Sequence, residues 1–266
     1  MISVTLNGLS LLQFNNLNRY PGLLHFTTLR TGGTSTANYS SLNLGLNSGD
    51  SSENVLSNRN KLCSALGISA EKLIFPIQTH TATVKLITHD FFNALKEDQK
   101  GYLLDTDAII TDLKGVCVAV KTADCVPVLL FDPVRNVVAV IHAGWRGTAQ
   151  NIVLKTIQKL VEEFGSEPAD LIAAIGPSIS PDVYEVGGEV FSQFESNFYH
   201  HKVPSHPDKR MLDLWKANHH QLISGGVSSE QIEIAQLCTW SESERFFSAR
   251  RDGAKTGRMA TGIMMR

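Results

Sequence analysis

No run of this chain approaches the roughly 18 to 20 consecutive apolar residues that a membrane-spanning helix needs, because Lys121, Asp124 and Asp132 interrupt its most hydrophobic region. A membrane span is therefore excluded. The first basic side chain is Arg19 and no long apolar core accompanies it, so the N-terminus has neither the charged start nor the hydrophobic centre of a secretory signal. The expected location is the cytoplasm. Four cysteines, Cys63, Cys117, Cys125 and Cys238, are too few and too scattered for a disulfide framework, and none forms the Cys-x-x-Cys pair of a thiolate zinc cage. Nor is there an excess of one charge. A formal net charge of -2 leaves no positive surplus for counterion release from a polyanion, which argues against nucleic acid as a partner. Internal repeats, low-complexity tracts and long Pro/Ser/Gly linkers are missing as well, and residues 1–266 read as one domain.

The remaining composition, 42% hydrophobic and 19% charged, is that of an ordinary globular enzyme or binding domain. The segments ISVTL and LLHFTTL favour strands. Residues 30–45, rich in Gly, Ser, Thr and Asn, have no hydrophobic period and read as a loop. From Asp50 a capping box with Glu53 opens a helix whose face carries Val55, Leu56, Arg59, Leu62, Cys63 and Leu66, and Gly67 stops it. The middle of the chain is dense in short β-branched runs, LIF, DAIIT, GVCVAV, VPVLLF and NVVAVI, which are the mark of buried strands. Apolar residues at spacings of three and four from Ile152 to Phe164 predict an amphipathic helix ended by Gly165. LIAAI and IEIAQL add strands, and helical patterns lie at 187–199 and 212–224. The content is mixed α and β (α+β) without regular βαβ alternation, and no Gly-x-Gly-x-x-Gly follows a strand, so a dinucleotide-binding fold is a poor fit.

Three segments place polar residues beside predicted strands where a plain core strand has no use for them: QTH ending at His80, KTADC ending at Cys125, and HAGWRG opening at His142. Two imidazoles and a thiolate are borderline-soft ligands suited to zinc or copper, and three protein ligands leave a fourth position open for catalysis. Taken singly, each of these residues has a bland reading as a hydrogen-bonded His or a small buried Cys, which is the reading given to Cys63, Cys117 and Cys238. Asp107 and Asp124 read equally well as turn residues and as acids. The pairs His200-His201 and His219-His220 point their side chains apart and read as surface. Arg146 adjoins Gly147, Arg30 stands two residues before Gly32, and Arg250 and Arg251 stand three and two residues before Gly253. Several such forks together would cradle a phosphate.

With RTGGTS, SLNLG, QTH, TDAIIT, TADC, HAGWRGT, IGPSIS, YEVG and FFSARRDGAKTGRMA, the chain resembles the YfiH/YlmD or laccase-domain family along nearly its whole length. That family includes purine nucleoside phosphorylases and the peptidoglycan editing factor. The resemblance implies an α/β/β/α sandwich and a catalytic zinc held by His80, Cys125 and His142. It also implies phosphorolysis of adenosine, inosine and methylthioadenosine, with adenosine deamination as a second activity and Arg30, Arg146 and Arg250 as substrate contacts. Typical members carry Gly after the first ligand His, where this chain has Thr81. Copper-dependent oxidation of phenols is attributed to some members, but the paired His-x-His motifs of multicopper oxidases do not occur among the nine His here. Two rival readings use the same residues: a cysteine hydrolase or amidase acting on peptidoglycan precursors, with Cys125 as nucleophile and His142 as base, and a non-catalytic metal-dependent binding module.

Overall fold

The computed structural model describes residues 1–201 and 204–266. Fourteen strands run in chain order as β1 Ile2–Leu6, β2 Leu9–Gln13, β3 Leu23–Thr28, β4 Leu73–Ile74, β5 Val84–Leu86, β6 Ala108–Thr111, β7 Cys117–Thr122, β8 Val126–Asp132, β9 Val137–Ala143, β10 Ile172–Ile175, β11 Glu185–Val186, β12 Arg210–Met211, β13 Ile232–Ile234 and β14 Met259–Met265. Twelve of them form two mixed six-stranded sheets, in the orders β1-β2-β3-β14-β7-β4 and β13-β10-β8-β9-β6-β5. The helices are α1 Ser52–Leu66, α2 His89–Asn93, α3 Lys96–Tyr102, α4 Trp145–Ala149, α5 Ile152–Phe164, α6 Gly188–Phe191, α7 Leu214–Ser224 and α8 Ala249–Asp252.

Strand periodicity sorts the side chains into layers. Val118 and Val120 of β7, Val138 and Val140 of β9, and Ile263 and Met265 of β14 point into a core shared by the two sheets. Their neighbours Cys117, Ala119, Ala260 and Met264 face outward against Leu62, Cys63 and Leu66 of α1. Val137, Ala139 and Ile141 face outward on the other side, against Ile157 and Leu160 of α5 and Ala217 and Leu222 of α7. The result is the mixed α/β sandwich expected, with helices on both outer faces. Central strands are buried on both sides, which explains why their sequences are continuous apolar runs rather than alternating ones. Among the described residues, no helix is long and apolar enough to cross a membrane.

Two local expectations fail. Asp50 and Glu53 do not form a capping box: Ser51 occupies the N-cap position of α1 without a side-chain bond, because Asp50 Oδ2 is taken by the Ser35 hydroxyl at 2.6 Å and the Asn43 amide at 2.9 Å. Leu56, expected on the buried face, lies outward and half exposed. The pattern at 187–199 yields only α6 and a 3-10 turn at Ser196–Phe198. There the Tyr199 hydroxyl lies 2.9 and 3.0 Å from the carbonyls of Phe191 and Phe194, acceptors that a longer helix would have used itself.

Candidate metal centre

The second sheet brings the polar residues together at one end. β8 and β9 form an antiparallel hairpin in which Val126 pairs with Ala143 and Pro127 with His142, so Cys125, one residue before β8, falls beside His142. β6 flanks β9 with Ala108 opposite Ile141, and the next step of that register places the Asp107 carbonyl 2.7 Å from the His142 amide. β5 runs parallel to β6, and the loop before β5 carries His80. His80 has φ of +66°, a left-handed conformation that costs a residue with a Cβ about 1 kcal/mol.

Asp107 offsets that cost. Its buried carboxylate accepts the amides of Thr79 at 3.3 Å, His80 at 3.2 Å and Thr81 at 2.7 Å, and the Thr81 hydroxyl at 2.8 Å. The same carboxylate meets His142 Nδ1 at 2.7 Å. One acid thus holds both imidazole-bearing segments and leaves His142 Nε2 to face Cys125. The donor atoms of His80, Cys125 and His142 lie within 4.8 Å of one another. Cys125 Sγ is 3.8 Å from His80 Nε2, and the two imidazoles meet edge to face with centroids 4.9 Å apart. His142 is buried, Cys125 half-buried and His80 exposed, a gradient that leaves one side of the cluster open.

Two glycines of HAGWRG are required by this packing. A Cβ on Gly144 would lie 3.0 Å from the His80 ring and 3.1 Å from Cys125 Sγ, and one on Gly147 would lie 2.9 Å from the Thr81 carbonyl oxygen. Electrostatics follow the geometry. Burial alone pushes the Cys125 thiol up, but the charge of His142 and hydrogen bonds from both imidazoles outweigh it and hold the thiol below its ordinary range. Burial likewise works against a charged His142, while Cys125 and Asp107 raise it. Burial opposes ionisation of Asp107, and its bond to His142 nonetheless keeps it below the usual carboxylate range. The cluster favours a thiolate, which is the form a metal or an electrophile takes.

Asp124 serves the crossover between sheets. At φ of +98° it turns the chain from β7 toward β8, and its buried carboxylate accepts the Thr239 hydroxyl and the Arg250 amide, both at 2.7 Å. The arginines expected at the substrate are spread out. Arg30 bonds the carbonyls of Ser40 at 3.0 Å and Ser243 at 2.8 Å and stacks on Phe247, fastening two loops. Arg250 reaches the Glu185 carbonyl at 2.7 Å across the Tyr184 ring, and Arg146 lies on Trp145; both are exposed. Burial and the nearby Cys125 push the Tyr184 phenol up, against the pull of Arg250 and Arg146, so these two arginines share a neighbourhood with the cluster.

A cleft of about 870 Å³ opens beside the cluster, with His80, Cys125 and His142 in its wall. Arg30, Arg146 and Arg250 do not line it; Arg59, Lys121 and Arg258 do. These three, and the pivotal role of Asp107, escape a reading by motif. The one available signal is Lys121, a cation inside an otherwise apolar strand.

Comparison with known proteins settles the lineage. Residues 24–266 match the family model described as multi-copper polyphenol oxidoreductase laccase. The chain belongs to the laccase-domain family of YfiH and YlmD. A purine nucleoside phosphorylase of Bacteroides thetaiotaomicron is 40% identical over 100% of this chain and 99% of its own length. A protein named adenosine deaminase RL5, from an unknown prokaryotic organism, is 37% identical over 91% of this chain and 94% of its own. The crystal structure of the Bacillus licheniformis hypothetical protein YfiH superposes with a TM-score of 0.88 at 32% identity, covering 96% of both chains. Matched along its length to relatives with enzyme names, the chain is an enzyme. The family description mentions several coppers, yet among the described residues His80, Cys125 and His142 are the one group of three or more His, Cys, Asp or Glu whose donor atoms converge. That is a mononuclear arrangement.

Proposed function

We propose that the chain is a zinc-dependent purine nucleoside phosphorylase acting on adenosine, inosine and methylthioadenosine, with adenosine deamination as a second activity at the same centre. The observation that carries this reading is the convergence of one thiol and two imidazoles within 4.8 Å, backed by a carboxylate on His142 Nδ1. This donor set fits zinc: two nitrogens and one sulfur, an outer carboxylate on a ligand histidine, and an open side. Copper is the alternative that the same ligands allow. When bound, the metal supplies Lewis acidity, which stabilises negative charge developing on a substrate and lowers the pKa of water.

The chain's own residues do the rest. Asp107 keeps the His142 proton on Nδ1 and pins the His80 loop, so the site is organised before substrate arrives. Phosphorolysis breaks the bond between ribose C1′ and the purine nitrogen and forms one from C1′ to a phosphate oxygen; the purine leaves with the electron pair and takes up a proton. In this reading Arg146 and Arg250, both exposed and within electrostatic reach of Tyr184, steady the negative charge that builds on the departing base. Arg30 supports the loop wall rather than the substrate. Reduced thiols at the site suit the cytoplasm.

Metal analysis of purified protein joined to a nucleoside assay tests the proposal. The expected result is close to one zinc per chain, with free base and ribose 1-phosphate formed only when phosphate is present. Full activity in metal-free protein would overturn it. One observation favours a second reading: Cys125, His142 and Asp107 also stand in the order nucleophile, base and orienting acid, as in an amidase acting on peptidoglycan precursors. Zinc-loaded protein whose Cys125 alkylates as fast as in metal-free protein would support that alternative.

A further inference from the structure

Five cations, Arg59, Lys96, Lys100, Lys121 and Arg258, line the cleft beside the cluster, against one carboxylate, Glu71. The whole chain carries a net charge of -2, so this positive field is local and has to be built. Its inner members come from three elements. Lys121 stands on β7 opposite Ala260 of β14, and Arg258 directly precedes β14, so the two occupy adjacent strands at the end from which the chain runs on to Cys125. Arg59, on α1, shares the Phe75 ring with Lys121: its guanidinium carbon is 4.6 Å and the lysine Nζ 5.0 Å from the ring centroid.

None of the three meets a carboxylate among the described residues. Lys121 Nζ donates to the Pro76 carbonyl at 2.8 Å. Arg59 donates through Nε and Nη2 to the Leu44 carbonyl at 3.1 and 2.9 Å. Arg258 donates to the carbonyls of Thr256, Gly257 and Ala254 at 2.6, 2.9 and 3.2 Å. Each retains donors that these bonds do not use. Neutral carbonyls satisfy geometry but not charge; Asp107 acts on Lys121, and Cys125 and Asp124 on Arg258, only from a distance, and a partly desolvated cation without a contacting counter-ion is costly. Burial and repulsion from Arg59 bring Lys121 down to about 7, and burial brings Arg59 down to about 10. The cleft wall is shaped to admit one of them, since a Cβ on Gly45 would lie 2.7 Å from Arg258 Cγ. Fastening loops through carbonyls would require only neutral donors; three cations lining one cleft, two of them on a shared ring, suit an anion.

We propose that Arg59, Lys121 and Arg258 form a subsite for a phosphate group, reached through the cleft next to His80, Cys125 and His142. The assignment of that group as the co-substrate rests on the phosphorylase reading; the subsite itself does not. Two guanidinium forks and an ammonium match the oxygens of a phosphate dianion, and the group arrives either as inorganic phosphate or attached to a nucleotide.

Full-length protein as purified is titrated with inorganic phosphate, and separately with adenosine 5′-monophosphate and adenosine, by calorimetry and by phosphorus NMR line width. Lys121→Met and Arg258→Met are each expected to weaken phosphate binding about tenfold or more, as loss of a charged hydrogen bond does. Lys159→Met, at a residue that pairs with Glu163 on α5 and lies outside the cleft, is expected to change nothing. Arg258→Lys, which keeps the charge, guards against a folding defect in Arg258→Met and should lose less. Monophosphate binding far tighter than either inorganic phosphate or adenosine would assign the subsite to a phosphate carried by the substrate; inorganic phosphate that binds alongside adenosine would assign it to the free ion. Absence of phosphate binding in the parent protein, or equal binding by the parent and both methionine variants, would overturn the proposal. Phosphate bound here without phosphorolysis would remove the proposed reaction and leave the subsite. Phosphorolysis with an unchanged KM for phosphate in both variants would do the reverse.

Discussion

Among the described residues two histidines are buried, one in each sheet, and their surroundings are opposite. His25, on β3, is fully enclosed; its Nε2 accepts the Phe14 amide at 2.8 Å and its Nδ1 has no partner among the described residues. His142, on β9, is 3% exposed, with Asp107 on Nδ1 and Cys125 on its other side. Burial drives His25 down to about 4, whereas His142 is raised because an acid and a thiol surround it. Burial in itself makes a histidine a neutral wedge in a core. What would make it a reactive group is the acid behind it and the open side of the cluster in front. The contrast also separates two ways of losing function, since damage to His25 acts through the fold and damage to His142 through the site.

The largest effect is expected from removing the site itself. His142→Ala, His80→Ala and Cys125→Ala should each lower nucleoside turnover by about a thousandfold or more, the scale of losing a catalytic group, with near-native circular dichroism and zinc content reduced. Cys117→Ala and His220→Ala should leave turnover near the parent value. Near-parent turnover in any of the first three, with metal content verified, would show that the centre lies elsewhere. His25 provides the opposite signature. Its pKa is 6.5 unfolded and about 4 folded, so the unfolded state binds the extra proton between those values and folding stability falls as pH drops from 6.5 to 4. The full loss is about 3 kcal/mol. Denaturant melts across that window should show it in the parent and not in His25→Gln; equal acid sensitivity in both would clear His25 of the role.

The same contrast shows what can be read in advance. The buried strands β6 to β10 and the helices α1, α5 and α7 follow from apolar period, because their packing is set by the residues that name it. His80, Cys125 and His142 are legible as ligand types at strand ends, though only the hairpin register and the β5–β6 pairing bring them within reach of one another. β14, central in the first sheet, is hard to foresee: RMATGIMM combines Gly and three Met rather than β-branched residues, and a tertiary slot between β3 and β7 decides it. Asp107 reads locally as a turn residue, since its five hydrogen bonds go to residues 26 to 35 positions away.

A middle-sized effect follows from cutting the connection that distinguishes His142 from His25. Asp107→Asn keeps the shape but sets an amide donor against the amides of residues 79–81, and it removes the charge that favours the Nδ1 proton. Zinc affinity, measured by competition with a chromophoric chelator, should fall about 10- to 100-fold, as for other outer partners of a ligand histidine. Parent affinity in Asp107→Asn would mean that the histidines are oriented by packing alone.

The smallest effect tests how far the clamp depends on the side chain that follows His80. Thr81 places its hydroxyl 2.8 Å from Asp107 Oδ2 and accepts the Thr83 amide at 3.2 Å. Thr81→Val retains the branched shape and the Thr81 amide bond at 2.7 Å, but it removes the hydroxyl, so Oδ2 loses one donor of three. A hydrogen bond to a charged group contributes about 1.5–3 kcal/mol when all of it is lost; here the remaining donors stay close, and most of the loss falls on the fold rather than on the metal. The expected outcome is a stability decrease of about 1 kcal/mol and a zinc affinity only about two- to fivefold weaker. Thr81→Gly adds a second loss, because it also frees a backbone that has to keep His80 left-handed. If the hydroxyl is the main contribution, the two variants should bind zinc alike and differ in thermal stability. If Thr81→Gly alone loses affinity, loop stiffness rather than the hydroxyl positions His80, and Asp107 holds the loop mainly through its backbone amides.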